Sequence, residues 1–486
     1  MSNAVIESST NSVASWLARR DFKNAHIHLV GVGGSGMAGL AGVLLRGGAQ
    51  VSGSDRNMSA VLLKLRERGA RVIAEQTADS IPPEAQLVVA SAAIPDQHPE
   101  LLEARRREIP IAKYAQMLGA LMGQHHGVAI AGTHGKSTTT AWTTFVLRQA
   151  GLDPSFIIGA EVDQLGGSSG VGIGPHFVAE SCEYDRSFLN MRPRHAVILN
   201  IEEDHLDYYV NLAEILQAFG DFARLVPEQG MLLVNGEDAR CRAIVREAGA
   251  PVQTFGLIDG VTWQAADLRL DNGRYSFAIR MDGVSLGRVT IGLSGRHNVY
   301  NALAVSALAL SNGVSWEVLR EALAEFRGAD RRLQLRAEVN GVFIADDYAH
   351  HPTEIRATLQ AARERFNPRR LWCIFQPHQH SRTRFLLADF ARSFDLADQV
   401  VVPDIYFVRD SARECERVSS ADLVERIRDH GGEAIHIQDF ERIVDHVVTH
   451  VGPGDLVLTM GAGDIWKAAD ELVQRIRQHL PNRRSA

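Results

Sequence analysis

The stretch AGTHGKSTTT, residues 131–140, sets a lysine behind a glycine and follows it with a run of hydroxyls. Such a stretch cradles phosphate: backbone N–H groups and a helix N-terminus face the anion, Lys136 reaches the outer phosphates, and Ser137 offers its hydroxyl to a magnesium ion. The loop departs from the common G-x-x-x-x-G-K-S pattern, whose first glycine would fall at Ile130, and is the shorter G-T-H-G-K-S. Its context compensates, because GVAIA before it reads as a strand and STTTAWTTFVLRQAG after it as a helix closing on Gly151. Lysine occurs only at 23, 64, 113, 136 and 467. In a chain that otherwise uses arginine, a lysine kept in a glycine loop points to a compact ammonium wanted for phosphate.

Magnesium needs hard oxygen ligands beside such a loop. HFVAESCEYD places Glu180 and Glu183 after one apolar run, and HAVILNIEEDHLDYY places Glu202, Glu203, Asp204, His205 and Asp207 after another. These groups either hold the metal that neutralises phosphate charge or form solvated acidic loops. Further along, DDYAHHPTEI and FQPHQHSRTR gather aspartates, a tyrosine, histidines and arginines behind two expected strands. One reading is a metal hydrolase with Asp346, Asp347, His350 and His351 as ligands. Another is a helix start, since Pro352 suits a first helical turn. In SGRHNVYNALAVSALAL, Asn298 and Asn301 lie on the first turns of an apolar helix, as caps or as amides able to read a purine edge.

GVGGSG fits the dinucleotide fingerprint through Gly31, Gly33 and Gly36, with Asp55 ending the next expected strand, AQVSGSD. The attraction in such a turn is between helix N-terminus and anion, so it is read here as a site for a UDP-type diphosphate. A nicotinamide oxidoreductase and a purely structural turn are the alternatives.

The elements that must position these residues alternate short β-rich runs with helical patterns, which implies α/β architecture with parallel sheets and helices on both faces. Three strand-to-glycine-turn starts divide the 486 residues into units 1–123, 124–328 and 329–486, the last opening within the arginine-rich EFRGADRRLQL. Ligands gather at the carboxyl ends of strands in such sheets, where the residues above stand. With 45% hydrophobic and 22% charged residues the composition is that of a soluble globular protein. A net charge of -7 and the lack of a long basic run exclude a sequence-independent grip on nucleic acid. Cys182, Cys241, Cys373 and Cys415 follow no C-x-x-C spacing and read as reduced cytosolic thiols. Residues 29–45 are uncharged but too short and too rich in glycine for a membrane span, and the N-terminus lacks an apolar signal core.

In their order, HLVGVGGSGMAGLA, VSGSD, SAAI, AGTHGKSTTT, AES, NIEEDHLDYY, GRHNVYNALAV, DDYAHHPTEI, FQPHQHSRTR and GAGDIWK make the chain resemble the Mur ligase family. The resemblance implies three domains: a Rossmann-like N-terminal domain for a UDP-sugar, a P-loop ATPase-like central domain for ATP and a Rossmann-like C-terminal domain for an amino acid. It further implies the branch that joins L-alanine to the lactyl carboxylate of UDP-N-acetylmuramate through an acyl phosphate, with ATP and Mg2+, in peptidoglycan precursor synthesis. A relative that adds a whole tripeptide is the alternative.

Carried over by position, Gly33, Gly34, Ser35, Gly36, Met37, Ser54, Asp55 and Ser91 would line the UDP-sugar site. Gly132, Thr133, His134, Gly135, Lys136, Ser137 and Thr138 would bind ATP with Asn298, Asn301 and Arg332. Ser137, Glu180 and His205 would hold magnesium, directly or through water, and Tyr348, His350 and Arg382 would meet L-alanine. Lys136, His205, Asp347 and His350 are the expected catalytic groups. The family reading carries a cytoplasmic monomer or weak homodimer with no integral membrane association. Two departures stand out. Several sister ligases bridge metals with a carbamylated lysine, and apart from Lys136 of the phosphate loop this central domain has no lysine to modify; Gln379 stands where some relatives have arginine, leaving Arg382 for the alanine carboxylate.

Overall fold

The computed structural model describes residues 13–479, apart from positions 20, 57 and 409. Among them three sheets form, of five, ten and six strands. The first contains β1 (His26–Val30), β2 (Gln50–Ser54), β3 (Arg71–Ile73), β4 (Leu87–Ala90) and β5 (Ile111–Lys113), all parallel, in the order β3-β2-β1-β4-β5. Strand order reverses beside β1, so the glycine turn after β1 and Ser91 after β4 flank the switch-point crevice where such sheets bind ligands.

In the central sheet, the strand His126–Ala131 lies between His195–Ile198 and His176–Glu180, both parallel to it. Helix Lys136–Gln149 leaves the first of these and is buried along most of its length. Its threonines do not leave hydroxyls stranded in the core throughout: those of Thr140 and Thr144 donate to the carbonyls four residues back, each at 2.8 Å. Trp142 stacks on Phe326 with centroids 5.4 Å apart, joining the helix to the apolar layer beneath.

The alternating pattern implies parallel sheets, and here the fold differs in part. Trp263–Asp271, Arg274–Met281 and Val284–Thr290 form an antiparallel meander at the edge of the central sheet. Its turns are Asn272-Gly273 and Asp282-Gly283, with φ of 48° and 73°, and of 48° and 81°. Positive φ at both central residues is the type I′ geometry that joins twisted antiparallel strands, and Asn-Gly and Asp-Gly are the pairs that adopt it most readily. The third sheet repeats the device: Gln334–Val339 and Val342–Asp347 pair antiparallel across Asn340-Gly341, while its remaining pairings are parallel. Among the described residues no helix is long and apolar enough to cross a membrane.

Candidate active site

The strand His126–Ala131 runs into the phosphate loop, and Gly135, at φ 85°, turns the chain into helix Lys136–Gln149. A Cβ on Gly135 would stand 2.9 Å from Oδ1 of Asn301, so glycine is required both for the turn and for the close approach. Asn200 braces the loop, accepting from the His134 N–H at 2.7 Å and donating to the His134 carbonyl at 3.1 Å. Lys136 Nζ donates to the carbonyls of Gly132 and Thr133 at 2.6 and 3.0 Å and to Glu183 at 3.0 Å. Burial opposes its charge, and Glu183 outweighs that penalty, so the ammonium pKa is raised. Sequence spacing offers Glu183 as a metal ligand or as part of a solvated acidic loop; the fold makes it the lysine's counter-ion.

A cavity of 520 Å³ opens beside the loop, lined by His134, Gly135 and Thr138, by Asn298 and Asn301, and from the third unit by Arg332 and Asp347. Asn298 donates to the Ser294 carbonyl at 2.7 Å and accepts from the Asn301 amide at 2.9 Å. Neither is the cap of helix His297–Ser311, which follows Arg296. A second cavity, of 450 Å³, brings Ser137 and Glu180 together with Arg332 and Tyr348. Ser137 and Glu180 are hard oxygen donors of the kind magnesium takes while keeping several waters. His205 does not line that space; its Nε2 lies 3.7 Å from Glu183, and its buried Nδ1 has no hydrogen-bond partner.

The third unit meets the central one through a polar seam. Glu354 Oε1 lies 3.1 Å from His134 Nδ1, while its Oε2 accepts from the His350 N–H at 3.0 Å. Thr353 donates to Glu202 at 2.6 Å. Arg382 donates to Oδ1 of Asp204 through Nε and a terminal nitrogen, at 3.1 and 2.8 Å. The guanidinium expected at the alanine carboxylate is therefore already held by a carboxylate of the central unit. His350 Nδ1 is 3.0 Å from the Tyr348 carbonyl, which can only accept, so Nε2 keeps the lone pair; burial pushes its pKa down to about 4 and the ring is neutral.

The hydrolase ligand set does not assemble. Asp346 is bound by Arg331 at 2.8 Å and Thr459 at 2.6 Å. Asp347 accepts the N–H groups of Leu333 and Ala349 at 2.6 and 2.7 Å, and burial raises its carboxyl to about 6 against the pull of Arg332. The His351 ring caps helix Pro352–Phe366 by accepting from the Thr353 N–H at 3.3 Å.

At the glycine turn, the N–H groups of Gly31 and Val32 donate to the Ser54 carbonyl at 2.9 and 3.0 Å. The Ser54 side chain, expected at the UDP-sugar, is fully buried and donates to Glu100 at 2.7 Å, because the two-residue period of β2 turns it into the core. Its carbonyl, not its hydroxyl, shapes the turn. Asp55 accepts the Gly33 N–H at 2.8 Å, and a Cβ on Gly33 would stand 2.7 Å from that carboxylate. Gly36 lets the helix pack on Tyr114, whose hydroxyl would stand 2.9 Å from an added Cβ. Gly34 is exposed, Ser91 is half-buried beside Gly31, Met37 is buried, and Ser35 opens helix Ser35–Arg46.

Models of three domains match this chain: Mur ligase family, catalytic domain, over residues 26–126; Mur ligase middle domain over 130–309; and Mur ligase, glutamate ligase domain, over 331–463. The chain belongs to the Mur ligase family. It is 41% identical over 454 residues to the UDP-N-acetylmuramate–L-alanine ligase of Caldanaerobacter subterraneus subsp. tengcongensis, across 93% of this chain and 98% of that protein. The crystal structure of the UDP-N-acetylmuramate-alanine ligase from Thermotoga maritima superposes with a TM-score of 0.79 at 29% identity, covering 93% of this chain and 99% of that one. A murein peptide ligase from Psychrobacter arcticus gives 0.69 at 26% identity, over 93% and 99%.

In this Mur ligase the seam between the central and third units sets His134 between two carboxylates, Glu354 at 3.1 Å and Glu202 at 3.6 Å. Burial would lower the His134 pKa, but Glu354, then Glu202, overcome that and raise it from 6.5 to about 9. A histidine pKa raised on folding stabilises fully below its unfolded value and ceases to do so as pH climbs through the folded one. The thermal midpoint should therefore decline between about pH 7 and pH 9.5 in the wild type, across the titration range set by that raised pKa. In Glu354→Gln, which removes the stronger carboxylate partner, the decline should begin at lower pH. Scanning calorimetry over that range checks it, and identical profiles in both proteins would remove His134 as the titrating group.

Proposed function

We propose that this Mur ligase joins L-alanine to the lactyl carboxylate of UDP-N-acetylmuramate with cleavage of ATP to ADP and phosphate. The observation that carries the reading is the pair of cavities on either side of the phosphate loop, both bordered by Arg332, in a chain 41% identical to a ligase of that name. A carboxylate and an ammonium group do not condense in water, so the acid must first be activated. The lactyl carboxylate attacks the γ-phosphorus of ATP, ADP leaves, and an acyl phosphate forms. The alanine amine then attacks the acyl carbon, and the tetrahedral intermediate expels inorganic phosphate.

The protein's part is electrostatic and positional. The backbone of Gly132 to Thr138 and the Lys136 ammonium face the phosphate chain, stabilising charge as it moves during transfer. Asn298 and Asn301 serve the adenine side, Arg332 reaches the phosphates from the third unit, and Gly33, Gly34 and Asp55 shape the UDP-sugar turn. His350 offers a neutral Nε2 lone pair to the alanine ammonium beside Tyr348. Ser137 and Glu180 would hold magnesium, with His205 reaching it only through water; when bound, the metal neutralises phosphate charge. The reading carries a cytoplasmic location with it, where nucleotide-activated sugars and ATP are found. Glu180→Ala should shift the magnesium dependence of turnover to higher concentration, and an unchanged titration would reassign that ligand.

The deciding experiment measures phosphate release from ATP, magnesium and UDP-N-acetylmuramate in parallel with L-alanine, with the tripeptide, and with neither. Release that requires L-alanine, with the amide product confirmed by mass, is the expected result. Release with the tripeptide alone would make this a peptide-recycling ligase, and silence from folded protein would overturn the ligase reading.

A further inference from the structure

Away from the phosphate loop, a cleft of 320 Å³ lies between the first and central units, and three arginines line it. Arg46 stands in the last turn of helix Ser35–Arg46, Arg68 caps the C-terminus of helix Ala60–Glu67, and Arg148 stands in the last turn of helix Lys136–Gln149. Arg46 and Arg148 flank one short segment, and Arg68 lines the same cleft from helix Ala60–Glu67. Arg46 donates to the Val171 carbonyl at 2.8 Å, and Arg148 lies 3.1 Å from where a Gly170 Cβ would be. Arg68 approaches the position of a Gly42 Cβ to 3.7 Å, beside the Ser169 hydroxyl at 3.8 Å from the same point.

An arginine at a helix C-terminus ordinarily answers the macrodipole. Each C-terminus carries about -0.5 charge, so three of them offset roughly half of three guanidinium charges and leave an excess of about +1.5. No acidic side chain lines the cleft, and none of the three arginines is ion-paired among the described residues. Two are fixed in place: Arg148 also donates to the Leu165 carbonyl at 2.9 Å and lies over the Phe156 ring at 4.9 Å, and Arg46 is held by Val171. The Arg148 Nε is buried with no hydrogen-bond partner. Convergent, pre-positioned guanidinium forks with unanswered charge match the oxygens of a phosphate chain.

We propose that this cleft binds the diphosphate portion of a small nucleotide-type anion, at a site separate from both the glycine turn and the phosphate loop. The two helices that begin at those ligand sites end here, so an occupant touches the far end of each and bridges the first and central units. Any effect it has on substrate affinity is returned in its own affinity, because coupling between sites is reciprocal.

Inorganic pyrophosphate is the probe, titrated calorimetrically into the full chain with no nucleotide present, and compared with Arg46→Ala/Arg68→Ala, which leaves the glycine turn and the phosphate loop unaltered. The wild type should show, beside any binding at those two sites, one equivalent that belongs to the cleft, with affinity falling as salt rises. Arg46→Ala/Arg68→Ala, both exposed positions, should bind at least about tenfold more weakly, the scale set by losing a charge-assisted hydrogen bond. Arg148→Lys, which keeps the charge but not the fork, should fall between the two. ATP and a UDP-sugar, added in turn as competitors, then tell which supplies the phosphate chain. No binding to the wild type, or equal binding to the double variant, would overturn the proposal.

Discussion

Lys136→Ala is expected to lower kcat by roughly 10² to 10³ or more, the scale seen when one preorganised charge-stabilising donor is lost. Two losses combine. The ammonium that stabilises charge on the transferring phosphoryl group is gone, and Glu183, whose side chain is only 4% exposed, is left without its cation. A buried unpaired carboxylate next to an arriving polyphosphate repels it, so the KM for ATP should rise as well. Lys136→Arg should not rescue turnover, because the ammonium sits between two loop carbonyls and a carboxylate, at 2.6 to 3.2 Å, where a planar guanidinium cannot be placed. Single-turnover phosphate release separates the two losses. Near-normal turnover in Lys136→Ala would show that this loop is not where phosphoryl transfer occurs.

How much of this was legible in the sequence follows from how local each signal is. A loop such as GTHGKS declares itself because turn, lysine and helix start are all contained in a few residues, and the same holds for GVGGSG. The antiparallel meander was equally local, written as Asp-Asn-Gly and Met-Asp-Gly turns between alternating strands, yet the dominant strand-helix rhythm obscured it. Ser54 shows a subtler failure. It stands at the end of a strand where ligands gather, but β2 presents successive side chains to opposite faces, and the residue's share in the turn is its carbonyl. Least legible were the pairings across the seam. Glu354 reads as an acidic residue in a first helical turn, and nothing near it announces His134, 220 positions away, as its partner. Spacing places a residue at a strand end; only the packing of one unit on another decides which opposite charge it meets.

Arg382 carries the second large effect, because it is the residue whose expected ligand position is already filled. Both it and Asp204 are nearly inaccessible, at 7% and 8% of side-chain surface, and they belong to different units. Burial favours the neutral form of each, and the pairing more than restores the charged one: the Asp204 carboxyl is held well below its ordinary range and the Arg382 pKa is raised. Arg382 spends two nitrogens on a single Asp204 oxygen, while its third lies 3.3 Å from His378. A carboxylate entering beside Tyr348 and His350 can therefore take up donors now shared on that oxygen without stripping the guanidinium of all its partners. Arg382→Ala is expected to raise the KM for L-alanine by about 30-fold or more, corresponding to the roughly 2 kcal/mol or greater cost of truncating one member of a buried charge pair. The KM values for ATP and UDP-N-acetylmuramate should move far less. Asp204→Ala should instead loosen the seam, lowering the thermal midpoint by leaving a buried guanidinium unpaired, a defect worth about 3–5 kcal/mol. The double variant should lose less stability than the two single variants added together, since neither orphaned charge remains. An unchanged KM for L-alanine in Arg382→Ala, with the stability loss intact, would assign the arginine to holding the units together and move alanine recognition elsewhere in the third unit.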